Sequence, residues 1–563
     1  MALLLDLPER FNVAEHFLRP AREAAGGAGG ARPCLICGED VLTVAALDAA
    51  AHRAAHALRR LGLRPGQRVA LLLREALDFP VAFWGALRAG VVPVPLNPAL
   101  PAADYRHYLG DSRARALLVE ASLLPALAGG GSPVLEGLPD LRRVVPVGAL
   151  PVEAPPSGAE RTARTAAQRL RTEPWHALLA AAPDAPAPVH AAHPDHPAFW
   201  LYTSGSTGRP KAAVHRQRDP VYVAETYGRQ VLRLGPDDLG FSAAKLFFAY
   251  GLGNSLLFPL VAGSAAVLNP EPATARGCFA LLARHRPRVF YAVPALYHAM
   301  LELHAAWQAG HEPPPPDGLP RLEHLRLALS GGEALPRPLL ERWQAAFGLP
   351  ILDGIGSTEV LHFYVTSRPD ALRPGATGQP VPGYDVRLVA RGGQEPAPGQ
   401  PGELWVRGGS VMARYWRRPA ATRRALRGGW LATGDRFRRD ADGFYWYEGR
   451  TDDLLKVGGS WVNPVEVEHA LLTHPAVAEC AVVRRQDATG LGQALACVVP
   501  RPGHAPDAAL AESLRAHAAA RLAAFKVPRW VEFHAALPRT PTGKLRRFLL
   551  RDGPPQPHTD PHG

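Results

Sequence analysis

The chain has 563 residues, 47% apolar and 20% charged, with 63 Lys plus Arg against 51 Asp plus Glu and a formal net charge of +12. That length implies three or four structural units with large cores, and the longest apolar run, Leu256 to Leu268, is broken by Pro259 and Gly263 and falls short of a membrane span. The arginines are spread over the whole length, which reads as a solvated basic surface partly aimed at small anions and excludes nucleic acid as the expected partner.

Five cations are lysines (Lys211, Lys245, Lys456, Lys526 and Lys544) and fifty-eight are arginines. A chain with that bias needs a reason to keep a lysine. At the N-terminus, Met1-Ala-Leu-Leu-Leu runs into Asp6 without a basic region, which does not make a secretory signal. Five cysteines, an odd number and mostly far apart, fit a reducing compartment, so a cytoplasmic location is expected. Cys34 and Cys37 form a C-x-x-C, but no second pair or ligand-spaced histidines follow, so a structural role is expected rather than zinc.

From 40 to 120, Ala/Leu-rich helical stretches alternate with Val-rich runs. Arg68 to Leu73 reads as a buried strand, Val81 to Ala89 as a helix closed by Gly90, and Gly90 to Leu96 as the next strand. Such alternation predicts β-α-β units around a mostly parallel sheet. Residues 121–197 are rich in Ala, Pro and Gly and read as loops and surface helices. The alternation resumes at Ala198 and continues to about 390, with a loop at Pro313 to Pro316. After 375 come short strands with turn signals: Asp385-Val-Arg-Leu-Val, Gly402 to Gly408, and Gly443 to Glu448. From about 454, mixed helix and strand patterns suffice for a separate α+β domain, and the Pro/His/Gly-rich tail 554–563 is expected to be disordered.

The most specific segment is Tyr202-Thr-Ser-Gly-Ser-Thr-Gly-Arg-Pro-Lys211. Thr203, Ser204, Ser206 and Thr207 supply hydroxyls, Gly205 and Gly208 permit close approach, and the loop N–H groups can wrap phosphate oxygens. It is no Walker A loop, because Arg209-Pro210 separates the last glycine from Lys211. Together with Gly331-Gly-Glu333, Gly356-Ser-Thr-Glu359, Thr433-Gly-Asp435, Gly449-Arg-Thr-Asp-Asp453 and Pro541-Thr-Gly-Lys544, it resembles the adenylate-forming superfamily of acyl-CoA synthetases, adenylation domains and luciferases. These motifs follow the family's order from 202 to 544.

The resemblance implies an α/β protein with a large N-terminal domain, 1–448, of two mostly parallel sheets with helices plus a small β-subdomain at about 376–448. A hinge at 449–453 then joins a small mobile α+β domain, 454–563. It implies ATP, Mg²⁺ and coenzyme A as cofactor and co-substrates, with no membrane span and a monomer or homodimer. Glu359 would ligate Mg²⁺ and Thr358 contact the nucleotide phosphate. Asp435 would hold the ribose, assisted by Arg450. Gly331, Gly332 and Glu333 would border adenine, with Asp353 accepting from its amino group. Ile355 departs from the family, where that position is usually aromatic. Asp452 would be the pivot between two settings. In the first, Lys544 reaches the substrate carboxylate and α-phosphate; in the second, Lys456-Val-Gly458-Gly459 faces the site and leaves room for pantetheine.

Lys245-Leu-Phe-Phe-Ala-Tyr-Gly-Leu-Gly-Asn254, with Asp353-Gly-Ile-Gly-Ser-Thr-Glu-Val-Leu-His362, resembles the benzoate-CoA ligase branch. That implies a slot for a flat aromatic carboxylate lined by Phe248, Ala249, Tyr250, Gly251, Ser330, Gly354, Ile355 and His362. Lys245 is read as the mouth of this pocket or a surface charge, and Lys526 as packing or a CoA phosphate contact. Arg521, Arg529, Arg546 and Arg547 are read as solvated surface, the alternative being a pairing with the CoA 3′-phosphate. The expected activity is ATP-dependent formation of an aryl-CoA through acyl-AMP, releasing AMP and pyrophosphate. The alternative is a standalone adenylation enzyme that loads a separate carrier protein.

Overall fold

The structure is a computed structural model that describes residues 5–23, 31–128, 134–148, 170, 172–203, 209–316, 318–390, 392–451, 455–457, 460–486, 492–539 and 545–551. Two largely parallel sheets form its body. The first has nine strands, of which Pro33–Cys37, Ala265–Leu268, Leu239–Ser242, Val289–Ala292, Leu327–Ser330 and Ile351–Gly356 run parallel, with antiparallel strands at both edges. The second is a four-stranded parallel sheet: Val92–Pro95, Arg68–Leu72, Ala116–Glu120 and Arg143–Val147. Their apolar runs are buried on both faces, as parallel strands between helices must be. The helix Asp78–Ala89 is buried on every side, and Gly90 closes it with φ 75°, a conformation that glycine adopts without the clash a Cβ would bring.

One part of the expected pattern differs. The strands after Ala198 do not begin a β-α-β unit: Pro197–Thr203 and Lys211–Arg216 pair antiparallel, with Thr203 opposite Lys211, and Arg414–Tyr415 adds the third strand. The phosphate-loop motif therefore joins the two strands of a hairpin. Apolar alternation could not reveal this, because both arms are buried and read alike.

The β-subdomain is a five-stranded antiparallel sheet made of Asp385–Val389, Gly402–Arg407, Leu426–Arg427, Trp430–Arg439 and Tyr445–Arg450. Its last strand takes in Gly449 and Arg450, so those two expected hinge residues are strand, while Asp452 and Asp453 lie outside the described residues. The C-terminal part folds Val477–Gln486, Gly492–Pro500 and Trp530–Phe533 into a three-stranded sheet with the helices Pro464–Leu472 and Ala508–Ala519. The tail 554–563 also lies outside the described residues. Among the described residues no helix is long and apolar enough to cross a membrane.

Cys34 and Cys37 sit on one strand, with Cys34 at a register shift between Pro33 and Leu35, and neither belongs to a metal-ligand cluster among the described residues. Both are free thiols; burial pushes Cys34 up to about 12, and its Sγ donates to the Leu42 carbonyl.

Lys245 is neither a pocket mouth nor a surface charge. Its Nζ lies 3.3 Å from the Glu75 carboxylate, which is fully buried, and donates to the carbonyls of Asn269 and Glu271. Burial pushes the Glu75 carboxyl up to about 7, with Lys245 pulling the other way. Removing one partner of a buried pair strands the other. Lys245→Met is therefore expected to cost about 3 kcal/mol near pH 8, and less at pH 6, where the orphaned carboxyl takes a proton. Adding Glu75→Gln should restore much of the loss in melting temperature.

Candidate active site

A cleft of about 1480 Å³ opens between the strand ends of the N-terminal sheets, the β-subdomain and the C-terminal part. Its walls bring together residues from most of the separated motifs: Thr203 and Lys211, Gly332 and Glu333, Asp353 to Glu359, Asp435 and Arg450.

Thr358 and Glu359 follow the strand Ile351–Gly356. The Glu359 main-chain carbonyl accepts from the Met412 N–H at 2.7 Å, and its Oε1 accepts from the Tyr415 hydroxyl at 2.6 Å. Burial and then the Glu359 charge push the Tyr415 phenol well up, so it stays a donor. The same ring lies 4.6 Å from Lys211 Nζ, within cation–π range. Tyr415 thus links the carboxylate to the hairpin lysine. Sequence reasoning missed it, since only the pairing of Tyr415 with Ala213 across the hairpin brings it within reach of Glu359. No Lys, Arg or His among the described residues is ion-paired with the Glu359 carboxylate. A hard oxygen on an open wall fits Mg²⁺, which takes one or two carboxylates and completes its shell with phosphate oxygens and water.

Asp435 and Arg450 face each other on adjacent strands, and an Arg450 guanidinium nitrogen donates to Asp435 Oδ1 at 3.0 Å. The turn before Asp435 needs Gly434, whose φ is 76° and whose missing side chain leaves room for Arg450. Tyr364, another residue that sequence reasoning missed, is buried between the two acidic positions. Burial, then the charges of Asp435 and Glu359, keep its phenol protonated.

Glu333 does more than border a base. Its carboxylate accepts from Arg539 at 3.1 Å and from the Leu545 N–H at 2.7 Å, both in the C-terminal part, and Arg539 also donates to Glu479. A second pairing across the same boundary joins Arg501 to Glu302 at 2.8 Å. Leu545 is the chain neighbour of Lys544. Lys544 itself, Ser204, Gly205, Ser206, Thr207, Gly208, Asp452, Gly458 and Gly459 lie outside the described residues, as does the Lys456 side chain; the Lys456 backbone belongs to the strand Leu455–Val457.

The expected ring slot divides into two layers. Phe248, Gly354 and Ile355 line the cleft. Gly354 and Gly331 are glycines because the Phe363 ring packs directly behind them, where a Cβ would clash. Phe363 stacks on Tyr250 with centroids 5.1 Å apart. His362 is buried beneath, with Nε2 3.1 Å from Asn254 Oδ1, and burial lowers it to about 3, which makes it a neutral ring. Ala249 and Ser330 are also buried, the Ser330 hydroxyl without a hydrogen-bond partner among the described residues. Gly251 is packed against the carbonyls of Ala244 and Lys245.

Of the remaining cations, Lys526 holds both oxygens of Glu466 at 2.7 Å, a packing role. Arg547 is not solvated surface, because it pairs with the buried Glu468.

Asp353 is buried in the cleft wall. Burial pushes its carboxyl up to about 7, and the N–H groups of Gly354 and Leu335 with the Thr377 side chain pull it only part of the way back. An unfolded Asp ionises near 4. Between those values the folded chain holds a proton that the unfolded chain has released, so this group makes stability fall as pH rises from about 4 to about 7 and level off above. Asp353→Asn should remove that contribution, giving a melting temperature that declines less between pH 5 and pH 7 than in the wild type. Equal slopes would contradict the assignment.

Residues 22–416 match the AMP-binding enzyme family and residues 466–544 the AMP-binding enzyme C-terminal domain. The chain is 41% identical over 549 residues to the benzoate–CoA ligase of Thauera aromatica, covering 97% of each. It is 40% identical to the 4-hydroxybenzoate–CoA/benzoate–CoA ligase of Rhodopseudomonas palustris, with 96% of this chain and 94% of that one covered. The crystal structure of a benzoate CoA ligase from Burkholderia xenovorans LB400 superposes with a TM-score of 0.83 at 39% identity, covering 96% of this chain and all of that one. With the motif residues gathered around one cleft and both family segments matched in order, the chain belongs to the AMP-binding enzyme family and is an AMP-forming acid–CoA ligase.

Proposed function

We propose that the preferred acid is benzoate or a substituted benzoate, and that one cleft serves both half-reactions. The observation that carries the substrate class is the thin wall of Gly354 and Ile355, with the Phe363 ring packed behind Gly354 and Phe248 lining the same cleft. A flat ring can slide along such a wall, whereas an alkyl chain gains little from it. The likeness to two benzoate-activating ligases over nearly the whole length supports the same choice.

The chemistry needs two anions to meet. A carboxylate oxygen attacks the α-phosphorus of ATP, the bond to the β-phosphate breaks and pyrophosphate leaves. In this reading Thr203, the 204–208 loop and Lys211 hold the departing phosphates. Asp435, kept in place by Arg450, accepts from the ribose hydroxyls. Glu359 would hold Mg²⁺, which when bound neutralises phosphate charge. Lys544 bridges the two anions and stabilises charge as they react. The C-terminal domain then turns about Asp452. The strip Lys456 to Gly459 replaces Lys544, and the CoA thiol attacks the acyl carbonyl while AMP leaves. A lysine suits the first task because an ammonium on a flexible stem follows a moving group better than a planar guanidinium.

The test is a panel of benzoate, hydroxy-, amino- and fluorobenzoates, cyclohexanecarboxylate and hexanoate, scored by kcat/KM with free CoA as acceptor. At least one benzoate should exceed hexanoate by roughly 100-fold, the scale on which apolar pockets discriminate. A preference for hexanoate would overturn the ring slot, and thioester formation only on an added carrier protein would overturn the CoA reading.

A further inference from the structure

The hairpin strand Lys211–Arg216 carries a side-chain network that reaches the cleft from behind. His215 Nε2 lies 2.8 Å from the main-chain carbonyl oxygen of Thr358, and its Nδ1 lies 3.2 Å from Asp219 Oδ2. The His215 and Asp219 side chains are 0% exposed. The ring stacks on Phe199 at 5.3 Å and 24°. A main-chain carbonyl only accepts, so Nε2 is the donor to Thr358, with Nδ1 turned to the Asp219 carboxylate.

Asp219 is also the hub of a second arm. It accepts from the Arg216 N–H at 2.9 Å and Nε at 3.0 Å, while another Arg216 nitrogen donates to the carbonyls of Gly409 and Val411 at 3.0 and 2.7 Å. The next residue, Met412, donates its N–H to the Glu359 carbonyl. Two successive carbonyls, those of Thr358 and Glu359, are therefore gripped by arms that meet at Asp219.

We infer that His215 is a positioning residue for adenylation: by donating to the Thr358 carbonyl from a ring anchored on Asp219, it fixes the Thr358–Glu359 peptide relative to the phosphate-loop hairpin. This rests on the adenylation role proposed for Glu359. A displacement of about 1 Å at such a group costs on the order of 100-fold in rate. The thioester half-reaction uses acyl-AMP that is already formed, so it depends less on this placement.

The experiment compares His215→Phe, which keeps the stacking but removes both ring nitrogens, with His215→Gln, whose amide nitrogen reaches about as far as Nε2. His215→Asn is the second variant. It keeps a donor for Asp219 but is too short to reach Thr358. Each is measured in benzoate-dependent adenylation, in thioester formation from supplied acyl-AMP, and by amide hydrogen exchange over residues 357–361. The Phe and Asn variants should lose roughly 100-fold in adenylation kcat, keep thioester formation within a few-fold, and exchange faster over that segment. Gln should recover about 10-fold. If His215→Phe does not fold, the Asn–Gln comparison decides. Equal losses in both half-reactions, or no advantage of Gln over Asn, would overturn the inference. Failure of the wild type to adenylate benzoate would instead overturn the substrate proposal on which the assay stands.

Discussion

Glu333 joins the two halves of the active site. Its carboxylate takes Arg539 and the Leu545 N–H from the C-terminal part, while the residue itself lies in the cleft wall of the N-terminal part. Partly buried ion pairs of this kind are modest individually, and two of them, Glu333–Arg539 and Glu302–Arg501, can hold one domain setting without locking it. A domain that turns between half-reactions, as proposed above, would need such contacts. A large apolar interface would stabilise one setting too strongly to leave it.

The acids of the cleft differ in what surrounds them. Glu359 is matched with a phenol that cannot ionise beside it, and Asp435 with a guanidinium that stays charged. Asp353, with no cation paired to it among the described residues, is pushed toward neutrality by burial. Three carboxyls in one cavity thus stand in three different surroundings. Their differences come from Arg450 and from partners such as Tyr415 and Tyr364, which no motif names.

Much of the site was legible in the sequence because its residues come as short contiguous motifs, and the structure gathers most of the described ones into one cleft. What was not legible came from pairings between distant segments. The antiparallel hairpin around the phosphate loop looked like the start of another β-α-β unit, because burial on both faces erases the difference in pattern. Tyr415 and Arg539 act on Glu359 and Glu333 only through tertiary contacts. The scarcity of lysines pointed in the right direction only in part. Lys211 lines the cleft, but Lys245 and Lys526 are held by Glu75 and Glu466. The pocket expectation was partial for a similar reason: an aromatic run cannot tell which rings face a cavity and which form the layer behind it.

The account rests on a lysine that enters the cleft for one half-reaction and leaves it for the other. The most direct measurement is the rate of each half-reaction in Lys544→Ala: pyrophosphate release from ATP and benzoate, and thioester formation from supplied benzoyl-AMP and CoA. The account predicts a loss of adenylation of 100-fold or more, as for removal of a group that stabilises charge in the transition state (~10²–10³), with thioester formation largely retained. Equal losses in both half-reactions would contradict it.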